Sequence, residues 1–291
     1  MKKTNNYLLL FILACLALEA IFFFIANFKS NEIYRIEEEK KLKTELLFSN
    51  LELEAKAFSV YDATEQKEIY GKNQYKRLPI ASLTKTMTVL VALDNYNLED
   101  QIKISDSDLK KEGDNGLFLN EKWKVSDLAK FSLILSSNDG AFALTHNDKF
   151  FIEKMNIKAK EIGMINTLFL NSTGLDINSE TSGASASALD VNIMNINAFQ
   201  IYPEVFSSTA LPELIIKSDS KISHDVKNTN LIIDKIPNLL FSKTGLTQLA
   251  GGNLSIIFIN KENHEIAMTV LGSTIDGRFS DMEKLLSVLL F

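Results

Sequence analysis

The chain has 291 residues, 46% of them hydrophobic, a formal net charge of −6 and a single cysteine, Cys15. An acidic balance with no basic block longer than a few residues speaks against nucleic-acid binding. One cysteine excludes an intrachain disulfide and a cysteine metal cluster, and the length sets an expectation of one or two domains.

Tyr7–Phe28 reads YLLLFILACLALEAIFFFIANF, with Glu19 as its only charge. As a helix it spans about 33 Å, close to the ~30 Å hydrocarbon thickness. Lys2 and Lys3 ahead of it favour a cytoplasmic N-terminus. A cleaved signal peptide is the rival reading, but the run exceeds an h-region of about 7–15 residues and no small-x-small site follows. Ile12-Leu13-Ala14-Cys15 faintly resembles a lipoprotein box, yet the apolar run continues past Cys15. Residues 1–28 are therefore expected to be an uncleaved single-pass anchor, with the rest of the chain on the extracytoplasmic side. Glu19 would be protonated, face a partner helix, or simply be tolerated. Residues 29–50, with Glu37-Glu38-Glu39-Lys40-Lys41, read as a solvated helical spacer.

A folded domain is expected over 51–291. Ala55–Asp62 reads as a strand, with a second near Glu68–Tyr70 to pair with it. Pro79 breaks the chain before a helix starting near Ser82, and Met87, Leu90, Val91 and Leu93 suit a buried helix over Thr84–Asn95. Ser126–Leu144 is helical with an interruption near Ser136. Lys158–Gly163 reads as a helix end, with Gly163 as the stop, and Ala188–Gln200 as a further helix. Beyond Pro212 the pattern turns to strands at Glu213–Lys217, Leu240–Lys243, Leu254–Asn260 and Glu265–Leu271, with residues 260–264 as a hairpin turn. Asp281–Phe291 closes the chain as an apolar-faced helix. Strands from both ends and helices from the middle imply an α+β fold: an antiparallel sheet covered by helices, plus a helical lobe.

Three short motifs lie in order: Ser82-Leu83-Thr84-Lys85, Ser136-Ser137-Asn138 and Lys243-Thr244-Gly245. Ser82 and Lys85 at i and i+3 share a helix face. A serine nucleophile needs a base, and a lysine serves only if desolvation or a neighbouring cation lowers its pKa. Lys243 can be that cation. Ser136 is placed to pass a proton to a departing amine, and Asn138 to hold Lys85 and a substrate peptide. On a strand, Lys243 and the Thr244 hydroxyl can grip a carboxylate, and Gly245 leaves room for a close backbone approach. The Leu246 and Ser82 N–H groups would form an oxyanion hole. Each motif alone is also compatible with an ordinary cap, helix end or strand.

Taken together, and with their flanks, the motifs resemble the serine-type D-alanyl-D-alanine carboxypeptidases, the low-molecular-mass penicillin-binding proteins. The resemblance runs from about Leu51 to Phe291. It is carried by residues 79–88 around Ser82, by Gly116-Leu117, by Asp127-Leu128 and by Ser136-Ser137-Asn138-Asp139. Residues 158–164, Asn166-Thr167, Gly174-Leu175-Asp176, Asn228-Thr229-Asn230, residues 243–247, Ala250-Gly251, Leu271-Gly272-Ser273 and Arg278-Phe279 extend it. It implies a β-lactamase/transpeptidase-like fold, Ser82, Lys85 and Ser136 as catalytic residues, and Asn138, Lys243, Thr244, Gly245 and Leu246 as substrate-binding. It further implies a peptidoglycan stem peptide as substrate and β-lactams as covalent inhibitors, with no cofactor. One departure, the absence of the family's His from Ser185–Asp190, concerns substrate preference; a second, Leu246 in place of an aromatic residue or His, leaves its backbone role intact.

Other chemistries find little support. His146, His224 and His264 are scattered and read as surface or turn residues. Asp106-Ser107-Asp108 and Glu112-Gly113-Asp114 lack an EF-hand frame and read as solvated loop. No E-x-x-L-N occurs between Asn138 and Lys243, which speaks against efficient lactam hydrolysis. A D,D-endopeptidase and a catalytically silent, membrane-tethered peptidoglycan-binding protein are the alternative functions.

Overall fold

The computed structural model describes residues 2–110, 113 and 116–290. The chain divides into two units, Met1–Leu51 and Glu52–Phe291. The first is one helix, α1 (Lys2–Ser49), which carries the expected anchor and the expected spacer without a break. Part of the expected span, including the side chains of residues 7–10, lies outside the described residues. Among the described residues no helix is long and apolar enough to cross a membrane.

The second unit opens with strands β1 (Ala57–Asp62), β2 (Lys67–Lys72) and the two-residue β3 (Leu78–Pro79). A single 3-10 turn, Ala81–Leu83, leads into α2 (Thr84–Asn95). Then follow β4 (Gln101–Lys103), β5 (Lys122–Lys124), α3 (Val125–Ile134), α4 (Asn138–Ala143) and α5 (Phe151–Glu161). Next come β6 (Leu168–Phe169), β7 (Ala184–Ala186), α6 (Ala188–Ile201), α7 (Pro203–Phe206), β8 (Glu213–Lys217) and β9 (Ser223–Lys227). Three long strands, β10 (Leu239–Thr247), β11 (Gly251–Ile259) and β12 (Glu265–Ser273), precede α8 (Gly277–Leu290).

The main sheet has the order β10-β11-β12-β1-β2 and is antiparallel throughout. Its two edge strands, β10 and β2, come from opposite ends of the unit. Helices α6 and α8 pack on it, while α2 to α5 form the helical lobe. Every residue of α2 from Thr84 to Leu93 is buried. A helix buried all round sits inside a domain rather than on its surface, so Lys85 is carried into the interior by its own helix. The core around it includes Leu83, Met87, Leu90, Trp123, Leu128, Phe131 and Val191.

Several boundaries shift from the expectations. Strand β10 runs four residues past Lys243, because its pairing with β11 continues to Thr247 opposite Gly251. The expected strand at Glu213–Lys217 belongs to a separate two-stranded hairpin with β9. Helix α8 begins at Gly277, ahead of the expected Asp281. The small pairings β4–β5 and β3–β7–β6 are three residues long or less per strand, too short to show a period of two. The interruption near Ser136 is real: Ser136 has φ +60°, and the Ser137 hydroxyl accepts from Gly140 N at 3.0 Å as the N-cap of α4. At the expected hairpin turn, Asn260 N donates to His264 O at 3.0 Å.

His224 corrects the surface reading. It is buried, with Nε2 2.7 Å from Glu121 Oε1, and it packs among Trp123, Phe131 and Phe118. Its partner lies 103 residues away in sequence, so no local pattern marks it. His264 sits 2.8 Å from Asp62 at the strand ends, and His146 lies against Tyr96. Glu112 and Asp114 of the expected acidic loop lie outside the described residues.

Candidate active site

The three motifs arrive from three elements: the turn before α2, the turn before α4, and the edge strand β10. Lys85 Nζ makes three hydrogen bonds, to Ser82 Oγ at 2.8 Å, Asn138 Oδ1 at 2.7 Å and the Thr173 carbonyl at 2.9 Å. Two of these partners can only accept. In the neutral amine they take both N–H groups, which leaves the lone pair facing Ser82 Oγ. Lys85 has no exposed surface. Burial, followed by the charge of Lys243, holds its pKa well below the usual lysine range.

The nucleophile turn is held in a costly conformation. Ala81 has φ +48°, a left-handed value that charges a non-glycine residue of order 1–3 kcal/mol. Its carbonyl accepts from Thr84 Oγ1 at 2.7 Å. Two glycines make the neighbouring chains fit. A Cβ at Gly174, where φ is +79°, would stand 1.9 Å from the Ala81 oxygen. A Cβ at Gly245 would stand 2.8 Å from the Ile80 oxygen and 3.3 Å from Ser82 N. The backbone that Gly245 admits is therefore this chain's own nucleophile turn, which places β10 directly beside Ser82.

Lys243 is also buried, at 2% exposure. Its Nζ donates to Ser136 Oγ and to the Thr244 carbonyl, each at 2.9 Å. Burial, and then the charge of Arg278, lower its pKa to about 7. Ser136 is therefore hydrogen-bonded to Lys243, while Lys85 bonds Ser82 and Asn138. Arg278 Nη1 donates to the Gly245 carbonyl at 3.0 Å, and its buried Nε has no hydrogen-bond partner among the described residues. Thr244 Oγ1 lies 2.6 Å from Thr229 Oγ1. Leu246 is 42% exposed on the strand edge. Among the described residues no carboxylate is ion-paired with Lys85, Lys243 or Arg278, so three basic groups gather here with only Asp276 acting on Arg278 at longer range.

The expected residues Ser82, Lys85, Ser136, Asn138, Lys243, Thr244, Gly245 and Leu246 thus converge. Three participants carried no assigned role in the sequence. Thr173 acts through a backbone carbonyl, which residue type does not report. Thr229 meets Thr244 only through the fold. Arg278 lies 35 residues beyond Lys243, and its position at the start of α8 was the available signal.

A family model described as D-alanyl-D-alanine carboxypeptidase, peptidase S11, matches residues 43–274. D-alanyl-D-alanine carboxypeptidase DacF of Bacillus subtilis is 31% identical over 249 residues, covering 82% of this chain and 62% of DacF. The chain thus spans a little under two thirds of that relative's length. The D-alanyl-D-alanine endopeptidase of Escherichia coli is 29% identical over 248 residues, covering 81% and 77% of the two chains. Penicillin-binding protein D2 of Listeria monocytogenes, in its cefotaxime-bound form, superposes with a TM-score of 0.70 at 28% identity. That match covers 82% of this chain and 98% of the other.

Proposed function

This chain belongs to the peptidase S11 family of D-alanyl-D-alanine carboxypeptidases, and from that premise we propose that it removes the terminal D-Ala from peptidoglycan stem peptides through an acyl-serine intermediate. The observation that carries the reading is the hydrogen-bond set of Lys85, which aims a neutral amine at Ser82 Oγ.

Ser82 Oγ attacks the carbonyl of the penultimate residue while Lys85 takes its proton. The oxyanion gathers at the N–H groups of Ser82 and Leu246, the latter one residue beyond Gly245, where a Cβ would stand 3.3 Å from Ser82 N. Lys243, Thr244 and the nearby charge of Arg278 hold the substrate's terminal carboxylate, the anion that the site lacks. Because Ser136 Oγ accepts from Lys243, its own proton passes to the leaving D-Ala nitrogen as Lys243 Nζ replaces it. Water then hydrolyses the ester; the attacking water's proton restores Lys243, and Lys85 returns its proton to Ser82. β-Lactams enter the same path and acylate Ser82. Labelling with a fluorescent penicillin tests the proposal: the wild type labels and Ser82→Ala does not, and label retained by Ser82→Ala would refute it.

Cleavage of crosslinks is a second reading. The chain covers 77% and 80% of two relatives named endopeptidases, against 62% of DacF. Digestion of purified muropeptides decides, by loss of dimers or of pentapeptides alone. The apolar stretch of Tyr7–Phe28 supports a further part of the proposal, attachment to the cytoplasmic membrane with the catalytic unit outside. Retention in the membrane fraction after an alkaline wash, with the catalytic unit open to added protease in spheroplasts, is the expected result.

A further inference from the structure

The turn at residues 171–175 touches both halves of the nucleophilic machinery. Its Thr173 carbonyl takes one hydrogen bond from Lys85, and its Gly174 packs against the strained Ala81 peptide. The neighbouring Ser172 carbonyl takes the Thr88 hydroxyl at 2.7 Å, so the turn lies along α2. One side chain shapes this turn. Asn171 Oδ1 accepts from Gly174 N at 2.7 Å, from Thr173 N at 3.2 Å and from Thr173 Oγ1 at 3.4 Å, while its Nδ2 donates to the Leu175 carbonyl at 2.9 Å. An amide that bridges donors and an acceptor in this way replaces the backbone pairing a turn otherwise needs.

The chain makes room for that amide. Leu170 N and Asn171 N both donate to the Gly183 carbonyl, at 2.9 and 3.0 Å. A Cβ at Gly183 would stand 2.3 Å from Asn171 Nδ2 and 2.2 Å from the Leu175 oxygen. Gly183 does not have a positive φ, so close packing against Asn171, and not backbone conformation, is what excludes a side chain there.

We propose that Asn171 is a positioning residue for Lys85: by fixing the 171–175 turn it aims the Thr173 carbonyl at Nζ and so orients the amine toward Ser82. The proposal rests on the active-site reading above. Thr88 secures the Ser172 carbonyl, but the direction of the next carbonyl is set by the turn itself. With the Thr173 carbonyl swung away, one N–H of the neutral amine loses its partner and the lone pair is no longer confined to one direction.

Two measurements test this on the full chain. The first is the second-order rate of acylation by a fluorescent penicillin against pH, corrected by the fraction of folded, labelable protein. Asn171→Ala is expected to lose about 100-fold, the scale of a displaced general base. Asn171→Ser, whose hydroxyl imitates the turn more weakly, should fall between it and the wild type. An ammonium is held by a carbonyl more strongly than an amine, so the acid limb of the Asn171→Ala profile should move to lower pH. The second measurement is NMR titration of the Lys85 side chain in Ser82→Ala with and without Asn171→Ala, with a shifted midpoint expected. It does not depend on turnover, so a wild type that fails to acylate would refute the function while this arm still decides the role of Asn171. An Asn171→Ala rate within about threefold of the wild type with an unmoved pH profile would overturn the proposal. A loss that merely follows the unfolded fraction, or an unchanged Lys85 midpoint, would overturn it as well.

Discussion

Glu121 and His224 bury an acid against a base inside an aromatic box of Trp123, Phe131 and Phe118. Lys85 and Lys243 bury two amines whose hydrogen-bond partners are hydroxyls, an amide and carbonyls, with Arg278 close by. Both regions take ionisable groups out of water, and they resolve that cost differently. At Glu121 burial pushes the carboxyl up, and hydrogen bonds from His224 and the Phe118 N–H, among others, outweigh it and hold it below its usual range. At the lysines burial prevails and both are driven toward the neutral amine. Compensated charge is what a scaffold needs. Uncompensated charge is tolerated where a reaction requires a base and a receptor for an anion.

Removing the buried base from the site should therefore abolish activity without weakening the fold. Lys85→Met is expected to cut acylation by at least ~1,000-fold, since nucleophile and base act as a unit. Its melting temperature should stay close to that of the wild type, because the desolvation cost of a buried amine is removed together with its three hydrogen bonds. A large fall in melting temperature would break the contrast between the regions.

The pH dependence sharpens it. Free enzyme needs Lys85 neutral and Lys243 charged, so kcat/KM for a D-Ala-D-Ala peptide should rise as Lys85 loses its proton. It should fall again on an alkaline limb with a midpoint near the Lys243 value of about 7. That limb is expected to descend about tenfold per pH unit and to vanish in Lys243→Arg, whose charge does not titrate. A limb unchanged in Lys243→Arg would assign it to another group.

The same lysine affects stability. Its pKa is about 7 folded against 10.5 unfolded, so between those values the unfolded chain binds more protons and stability rises with pH. Denaturant titrations at pH 7.5 and 9.5 should show that rise in the wild type and less of it in Lys243→Met.

Glu121→Gln gives the smallest effect on activity and defines the other side of the comparison. Disturbing a buried, hydrogen-bonded pair should cost about 1–3 kcal/mol, while acylation stays within about twofold. Because the Glu121 pKa is lowered in the fold, its contribution is present above the unfolded value of 4.5 and is lost as pH falls through the folded one. The variant should therefore close the gap to the wild type in acid.

How much of this was legible in the chain follows the same division. Ser82, Lys85, Ser136, Asn138 and Lys243 act through side chains set at fixed spacing in local elements, and the sequence pattern places them. The long strands and α2 are legible as sustained apolar runs bounded by turn residues. Thr173 contributes a carbonyl that any residue carries. Asn171 shapes a turn with no periodic signal, and the Glu121–His224 pair joins residues 103 positions apart. The strained φ at Ala81 runs against residue preference and becomes visible only where Gly174 and Gly245 crowd the nucleophile turn.

The most direct test of an acyl-serine site fed by a buried lysine is intact-mass and peptide-mapping mass spectrometry after incubation with a penicillin. One adduct per chain, mapped to Ser82 and absent from Lys85→Met, is the result expected. An adduct on any other residue, or unabated labelling of Lys85→Met, would contradict it.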